Sequence, residues 1–476
     1  MIAPALAAWA VGPITVPEPV ADAALRHLLD GLGTAVAGAR AGAAAPAVTV
    51  AIDLGGRPEA TILGSATKVS AIAAGLANGT LVHALDFDDT HAGGLVHATS
   101  VVLPAAFAVG EQVGASGQEV LDAAVVGYEV ACRVAAAAPN GFHAGGLHAT
   151  MVAGVFASAA VAARLMGLDA ATATHALGIA GSQAGGLLAF LAGGASTKQL
   201  HPGFASQAGI QAARLAAAGA TGPDNVFDGP HGVYDALAPA AIAAGRVDRE
   251  VILRGLGGTA PSDWETTRIG IKPWPTCQLA HAAMAAAQLA LEHAGVGVDQ
   301  VVAVHASVHP DSAAVVCATD RDLARPASEY AAKFSLPWSV AALLVDGAVG
   351  IETYHPAQLA RPEIVSLAER VTWDVTPLAR ATGVAADASG DAVLRLADGR
   401  EYLGHVERSP GGGSQPLSEA ALREKFAGNV GPLADELASA LRELATAPDL
   451  SRILTLAARA AADNSDHSQL NEERTA

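Results

Sequence analysis

His83-Ala84-Leu85-Asp86-Phe87-Asp88-Asp89-Thr90-His91, with His97 close behind, is the stretch around which the chain is arranged. Three carboxylates, a hydroxyl and two histidines fall within nine residues, in a chain whose charged residues amount to only 16%. Upstream, Ser70 to Leu85 reads as an Ala-rich helix, and downstream Ser100 to Gly110 reads as a second apolar helix. The stretch between them is therefore a helix end plus a loop. Asp86 and Thr90 stand four apart, so on a helical turn they would share one face. Such a group is either a hydrogen-bonded hub or an active site.

Composition extends the helical reading to the whole chain. The 476 residues suffice for two or more domains and a large core. Hydrophobic residues make up 51% and aromatics only 4%, which favours closely packed helices over β-sandwiches. A formal charge of −18 argues against a nucleic-acid partner, which needs a basic surface. An anionic ligand would need a local cationic pocket working against that field. The three cysteines, Cys132, Cys277 and Cys317, have no CxxC spacing, so neither a zinc site nor a disulfide framework is indicated. Met1 to Val20 is apolar but has no positive n-region and carries four prolines, so it does not read as a signal peptide. Ala149 to Ala163 is uncharged but too short to span a membrane. Ala176 to Thr197 is long enough, yet it holds Ser182, Gln183 and many glycines, so both read as buried helices. The expected compartment is the cytoplasm, with no membrane partner.

Apolar residues at helical spacing mark Pro17 to Gly38, Val69 to Gly79, Gly117 to Ala138, Met151 to Met166, Ala170 to Ala180 and Phe204 to Gly219. Val48 to Leu63 reads as short and mixed. Two further polar loops interrupt the helices: Gly141 to Thr150, with His143 and His148, and Ser196 to Gly203, with Lys198 and His201. The texture changes near Trp264. Ile269 to Leu279 is a Pro-containing loop, Val301 to Val308 alternates as a strand does, and Arg370 to Thr376 and Ala392 to Ala397 read as strands with a hairpin turn at Asp398-Gly399. Phe334 to Leu344, Glu419 to Ala445 and Ser451 to Ala462 return to helix. The fold class is therefore mainly α: a large all-helical domain over 1–267, a smaller inserted α+β lid domain over 268–405, a return to the helical domain over 406–462, and a disordered tail over 463–476.

The polar points to explain are Asp86, Asp88, Asp89, Thr90, His91, His97, His148, Lys198 and His201. The bland reading makes the aspartates helix caps and the histidines satisfied core groups. That reading weakens for the set, because three separate loops each bring His or Lys to a helix boundary. A metal site is a rival, since Asp and His could hold Zn²⁺ or Mn²⁺, but no HExxH, paired-Cys or EF-hand spacing occurs. Asp86-Phe87-Asp88-Asp89 fits the DxDD acid signature of terpene cyclases, whose sites are lined with aromatics; the scarcity of Trp, Tyr and Phe here argues against it. No glycine run has the strand–turn–helix context of a dinucleotide or phosphate loop. Proton chemistry on an anionic substrate fits best. Histidines move protons near neutral pH, an Asp fixes a histidine tautomer, and a Lys holds a carboxylate and spreads enolate charge.

At these residues the chain resembles the MmgE/PrpD family. The matching pieces are Leu76-Ala77-Asn78-Gly79, His83 to His91, Gly146-Leu147-His148-Ala149-Thr150, Thr197 to Gly203, Lys272-Pro273-Trp274-Pro275-Thr276-Cys277 and Phe334-Ser335-Leu336-Pro337. They occur in family order and cover about residues 20 to 440. The resemblance implies a helical domain with an α+β lid domain, a homodimer, chemistry without a cofactor or metal, and a small polycarboxylate substrate. By the same resemblance His97 and His148 are the acid/base pair, Lys198 anchors a carboxylate, Thr90 donates a hydrogen bond and Asp86 orients a neighbour. Lys272 and His281 are secondary substrate-binding candidates. Its leading implication is a carbon–oxygen lyase, a dehydratase of 2-methylcitrate type. The alternatives are decarboxylation of a cis-aconitate-like acid, epimerisation of an iminodisuccinate-like acid, and a non-catalytic carboxylate-binding protein. Two features depart from family patterns. The loop Ala92 to Val96 is shorter than the Trp-containing insertion of 2-methylcitrate dehydratases. Trp338 stands where some decarboxylases carry Tyr.

Overall fold

Small residues let the helices of this chain approach closely, and that approach builds the site. The computed structural model describes residues 1–193, 195–377 and 384–463. Its principal helices and strands, in order, are α1 (Glu18–Arg40), α2 (Ala71–His83), β1 (Thr90–His91), α3 (Thr99–Val113), α4 (Gly117–Ala136), α5 (Ala149–Leu165), α6 (Thr197–Ala217), β2 (Ile269–Gly270), α7 (Gln278–Ala294), β3 (Val301–Val308), α8 (Leu336–Asp346), β4 (Val371–Val375), β5 (Gly390–Leu396), β6 (Glu401–Val406) and α9 (Glu419–Val430). The mainly helical class read from composition is what the fold shows.

Local signals set the ends of these helices. The Ser70 side chain accepts from the Ala73 N–H and caps α2. Ser116 and Glu119 form a reciprocal capping box on α4. Where α2 crosses α6, Gly79 meets Gly203: a β-carbon on Gly79 would lie 2.7 Å from the Gly203 nitrogen. One on Gly203 would lie 2.4 Å from the Leu76 carbonyl oxygen. Only paired glycines allow that crossing. It places the first turn of α6 beside the C-terminal end of α2.

The buried apolar side chains gather into two main clusters. One draws on residues 3 to 271 and again on 422 to 460. The other draws on Phe190 and on Cys277 to Leu396. The second is built on a four-stranded sheet in the order β4-β3-β5-β6, in which β3 and β4 run parallel and the other pairs antiparallel. β5 and β6 form the hairpin read at Asp398-Gly399, where Gly399 has φ +88°. α7 lies tight on this sheet: a β-carbon on Gly390 would stand 2.4 Å from the Ala282 backbone.

Several boundaries differ from the sequence reading. α6 begins at Thr197, so Lys198 sits in its first turn and not in a loop, and Pro202 lies within the helix. Val48 to Leu63 holds the helix Ala45–Leu54 and a short strand. The expected single helix from Glu419 to Ala445 breaks at Gly431, whose φ of +77° precedes Pro432. The apolar N-terminus forms a helix, Ile2–Val11, whose Trp9 packs on Trp264 and whose end Arg164 holds through the Ala10 and Gly12 carbonyls. The expected disordered tail lies, beyond Asp463, outside the described residues. Among the described residues no single helix is long and apolar enough to cross a membrane.

Candidate active site

Past His83 the chain leaves the helix and turns sharply. Asp86 has φ +52°, a left-handed conformation that Asp tolerates better than most residues but at a cost of about 1 kcal/mol. The helical-turn relation expected between Asp86 and Thr90 is therefore corrected: Thr90 opens β1, paired with Gly270. Four successive carbonyls of this turn each accept from a side chain far away in sequence. Gln199 donates to Ala84 O at 2.8 Å, Lys333 to Leu85 O at 2.7 Å, Lys272 to Asp86 O at 2.9 Å and Lys425 to Phe87 O at 2.7 Å. Within the turn the Asp86 N–H donates to the His83 carbonyl at 2.9 Å, and these four distant side chains fix the carbonyls it leaves free.

The Asp86 carboxylate is fully buried, and two ammonium groups converge on its Oδ1, Lys198 at 2.9 Å and Lys272 at 2.8 Å. Burial pushes this carboxyl up, but Lys198 and Lys272 outweigh it and hold it well below the ordinary carboxylate range. Lys272 is held above its ordinary value: burial acts against the ammonium, and Asp86 and Asp88 prevail. At the cavity wall itself two ammoniums face one carboxylate, Asp86, while Asp88 lies behind the wall bonded to His83. That imbalance at the wall is the cationic pocket an anionic ligand requires.

Three imidazoles adjoin this group. His83, His97 and His148 have ring centroids 4.6, 5.7 and 5.8 Å apart pairwise. His97 Nδ1 donates to the Asp89 carbonyl at 2.8 Å, so its basic lone pair is on Nε2. His83 Nδ1 donates to the Asp88 carboxylate at 2.8 Å and leaves Nε2 buried without a partner. His148, the residue before α5, contacts His201 through Nδ1 at 3.1 Å and Thr150 through Nε2 at 3.1 Å. Thr150 Oγ1 in turn accepts from the His97 backbone N–H. Burial, and then Lys272, holds His97 well below its usual value; burial and then Lys198 do the same to His148. Both rings are therefore neutral at pH 7 in the free protein.

Behind them, Asp89 accepts from the Thr99 N–H at 3.0 Å, and burial pushes its carboxyl up to about 8. The His27 Nε2–H goes to the Thr266 carbonyl, so the His27 nitrogen 3.5 Å from Asp89 carries a lone pair. Burial lowers His27 to about 4. His27 and Asp89 thus face each other as a neutral pair and not as an ion pair.

A pocket enclosing about 650 Å³, part of it open to solvent, adjoins this constellation. Asp86, Thr90, His97, His148, Lys198 and Lys272 all line it. His281 does not: it is fully buried against Trp274 and bonds the Thr276 carbonyl at 3.2 Å, so a direct substrate contact is not what its position offers. Trp338 is likewise buried beside Tyr354, away from the cavity wall, so it is no substitute for a phenol donor there. The short loop after His91 folds back through an Ala135 contact at Gly94 and puts Leu95 on the wall.

Sequence reasoning missed Lys333, Lys425, His83 as a third ring, and His143, which lines the cavity 5.9 Å from His148. One signal was available. The 28 basic residues comprise 23 arginines and only five lysines, at 68, 198, 272, 333 and 425. Four of those five converge on residues 85 to 87. The fold also brings together a donor set that spacing did not suggest: one ligand atom each from His83, His97 and His148, or from His83, Asp86, Asp88 and His97, lies within 4.8 Å of the others. Neutral imidazoles there suit a divalent ion. The two ammoniums on Asp86 oppose one.

Comparison with known proteins decides the family. The MmgE/PrpD N-terminal domain matches residues 5–243 and the MmgE/PrpD C-terminal domain residues 274–448. The chain belongs to the MmgE/PrpD family. It is 27% identical over 441 residues to a cis-aconitate decarboxylase of Aspergillus terreus, covering 88% of this chain and 87% of that one. It is 27% identical over 406 residues to the cis-aconitate decarboxylase of Homo sapiens, covering 80% and 78%. A cis-aconitate decarboxylase-like protein of Aspergillus oryzae is 27% identical over 463 residues, covering 93% and 94%. These relatives favour the decarboxylase alternative over the leading expectation of a 2-methylcitrate-type dehydratase.

Proposed function

We propose that this MmgE/PrpD protein is a lyase that decarboxylates a small, multiply charged unsaturated acid of the cis-aconitate kind. The observation that carries this reading is the shared wall: Lys198 and Lys272 on Asp86, with His97 and His148 in the same cavity. In such a reaction the carboxylate on the saturated carbon leaves as CO₂. Its bond pair forms a new terminal alkene, and the old alkene pair takes a proton at the carbon next to another carboxylate. Charge builds toward that second carboxylate, where fixed ammoniums stabilise it most.

The proton comes from one of the two rings. Both resist protonation in the free protein, first through burial and then through Lys272 and Lys198. A bound trianion offsets those lysines and raises the rings toward neutral pH, so substrate recruits the proton that its own turnover consumes. Thr90 Oγ1, 3.3 Å from His97 Nδ1, stands at the same wall to donate to a substrate oxygen. This scheme asks for no cofactor. The unit built on the second apolar cluster would act as a lid, in a cytoplasmic homodimer as the family resemblance suggests.

The test is a panel of di- and tricarboxylic acids, screened by thermal stabilisation and then by CO₂ release. Cis-aconitate is expected to stabilise the protein and to yield methylenesuccinate and CO₂ in equal amounts. Stabilisation with no CO₂, no new alkene and no solvent exchange would show a binding protein instead.

A further inference from the structure

We propose that Lys333 and Lys425, which lie outside the cavity wall, are positioning residues that hold Asp86 in its left-handed turn and so aim Lys198 and Lys272 at the ligand. Each spans the turn and a distant anchor. Lys333 reaches Leu85 O and, at 3.0 Å, Pro275 O, three residues after Lys272. Lys425, on α9, reaches Phe87 O and, at 2.6 Å, the buried Asp30 carboxylate on α1. Lys272, between them, takes both Asp86 O and Asp86 Oδ1. The carbonyls on either side of Asp86 are thus fixed from two separate parts of the chain, one among the second apolar cluster's segments and one on a C-terminal helix.

Residue usage supports the assignment independently of geometry. A chain that uses arginine 23 times and lysine five times places lysine at all four of these positions, with each side chain buried. The chemistry explains why. An ammonium is a compact point charge whose three donors can meet two oxygens on converging lines, whereas a planar guanidinium needs a wider, flatter site. Lys425 also sits 3.9 Å over the Phe87 ring and Lys333 4.6 Å over the Tyr354 ring, so each ammonium gains a cation–π contact besides its two oxygens. Other ionisable groups facing these lysines are Asp30, Asp88 and Lys272 for Lys425, and Asp86, Glu329, Lys272 and Lys198 for Lys333.

The kinetic arm of the test rests on the decarboxylase reading; the spectroscopic arm does not. Lys333→Met and Lys425→Met are compared with wild type, and Lys425→Met/Asp30→Asn removes the abandoned carboxylate if the single variant fails to fold. With five lysines, ¹³Cε-lysine spectra give one resonance per residue. In folded variants the Lys198 and Lys272 resonances are expected to move while Lys68, a surface lysine, stays. With cis-aconitate, kcat per folded molecule should fall about 10- to 100-fold, the range a sub-ångström to 1 Å misplacement produces, with KM changing less. Lys333→Arg and Lys425→Arg should not restore it. Unmoved Lys198 and Lys272 resonances in folded variants would overturn the proposal. So would an unchanged kcat in an active protein. If the wild type releases no CO₂, the decarboxylase reading fails and the resonances alone decide this one.

Discussion

His148 carries the sharpest prediction at the residue scale. It lines the cavity, and its ring touches His201 on one side and Thr150 on the other. His148→Ala is expected to cut turnover at least ~100-fold if this ring moves the proton, with the melting temperature little changed. Near-normal turnover would remove it from the mechanism. Residue types made much of the site legible. Carboxylates, histidines and one lysine at helix ends stood out because the surrounding sequence is Ala, Gly and Val. His281 misled because a histidine at a helix start looks the same in sequence whether it faces a cavity or, as here, a Trp ring and a carbonyl. Lys333 and Lys425 stayed hidden because their anchoring carbonyls belong to residues hundreds of positions away, and backbone acceptors leave no mark in a sequence.

At the element scale the account depends on the α2–α6 crossing. Gly203→Ala puts a methyl within 2.4 Å of the Leu76 carbonyl and 2.5 Å of Thr80 Oγ1. The helices must part, at a cost of about 1–3 kcal/mol, and Lys198 moves with α6. Thermal melts should show that loss, together with a weaker stabilisation by cis-aconitate than wild type shows. A variant as stable and as responsive as wild type would mean that the crossing does not set the site. Helix existence was legible from apolar spacing. The start of α6 was not, because Pro202 and a polar first turn read as a loop. The unwinding after His83 was not legible either, because a left-handed Asp86 is imposed by tertiary contacts and not by its neighbours in sequence.

At the scale of the whole molecule the buried titratable groups set a pH profile. Burial lowers His27 to about 4 and His281 to about 3, so between pH 6.5 and those values the unfolded chain binds protons that the folded chain refuses. Stability from these rings is therefore lost as pH falls, by about 1.4 kcal/mol per pH unit for each ring. Asp89 has the opposite sign. Raised to about 8, it keeps a proton that the unfolded chain sheds above about pH 4, so its contribution is lost as pH rises toward 8. Several rings outweigh the raised carboxyls on the acid side; between pH 6.5 and 8 the raised Asp89 lowers stability as pH rises, and Lys333, lowered by burial to about 8, contributes with the opposite sign only above that range. Melting temperature is expected to peak near pH ~6.5 and to fall more steeply toward pH 4 than toward pH 8. A flat profile, or one still rising at pH 4, would contradict the burial of these groups. Light scattering should give about twice the 47.3 kDa chain mass if the proposed homodimer forms, and a single chain mass if it does not. The change of texture near Trp264 was visible in sequence because strands alternate and helices do not. The last helices pack on α1 and share the first apolar cluster through contacts that no local sequence pattern marks.

Turnover of cis-aconitate in D₂O tests the central claim most directly, because it follows both the leaving carboxylate and the arriving proton. The account predicts one CO₂ per molecule of methylenesuccinate, with a single deuterium on the saturated carbon beside its carboxylate, and loss of both signals in His148→Ala. Deuterium entering recovered cis-aconitate with no CO₂, or water lost from a hydroxy acid at a far higher rate than CO₂ from cis-aconitate, would contradict it.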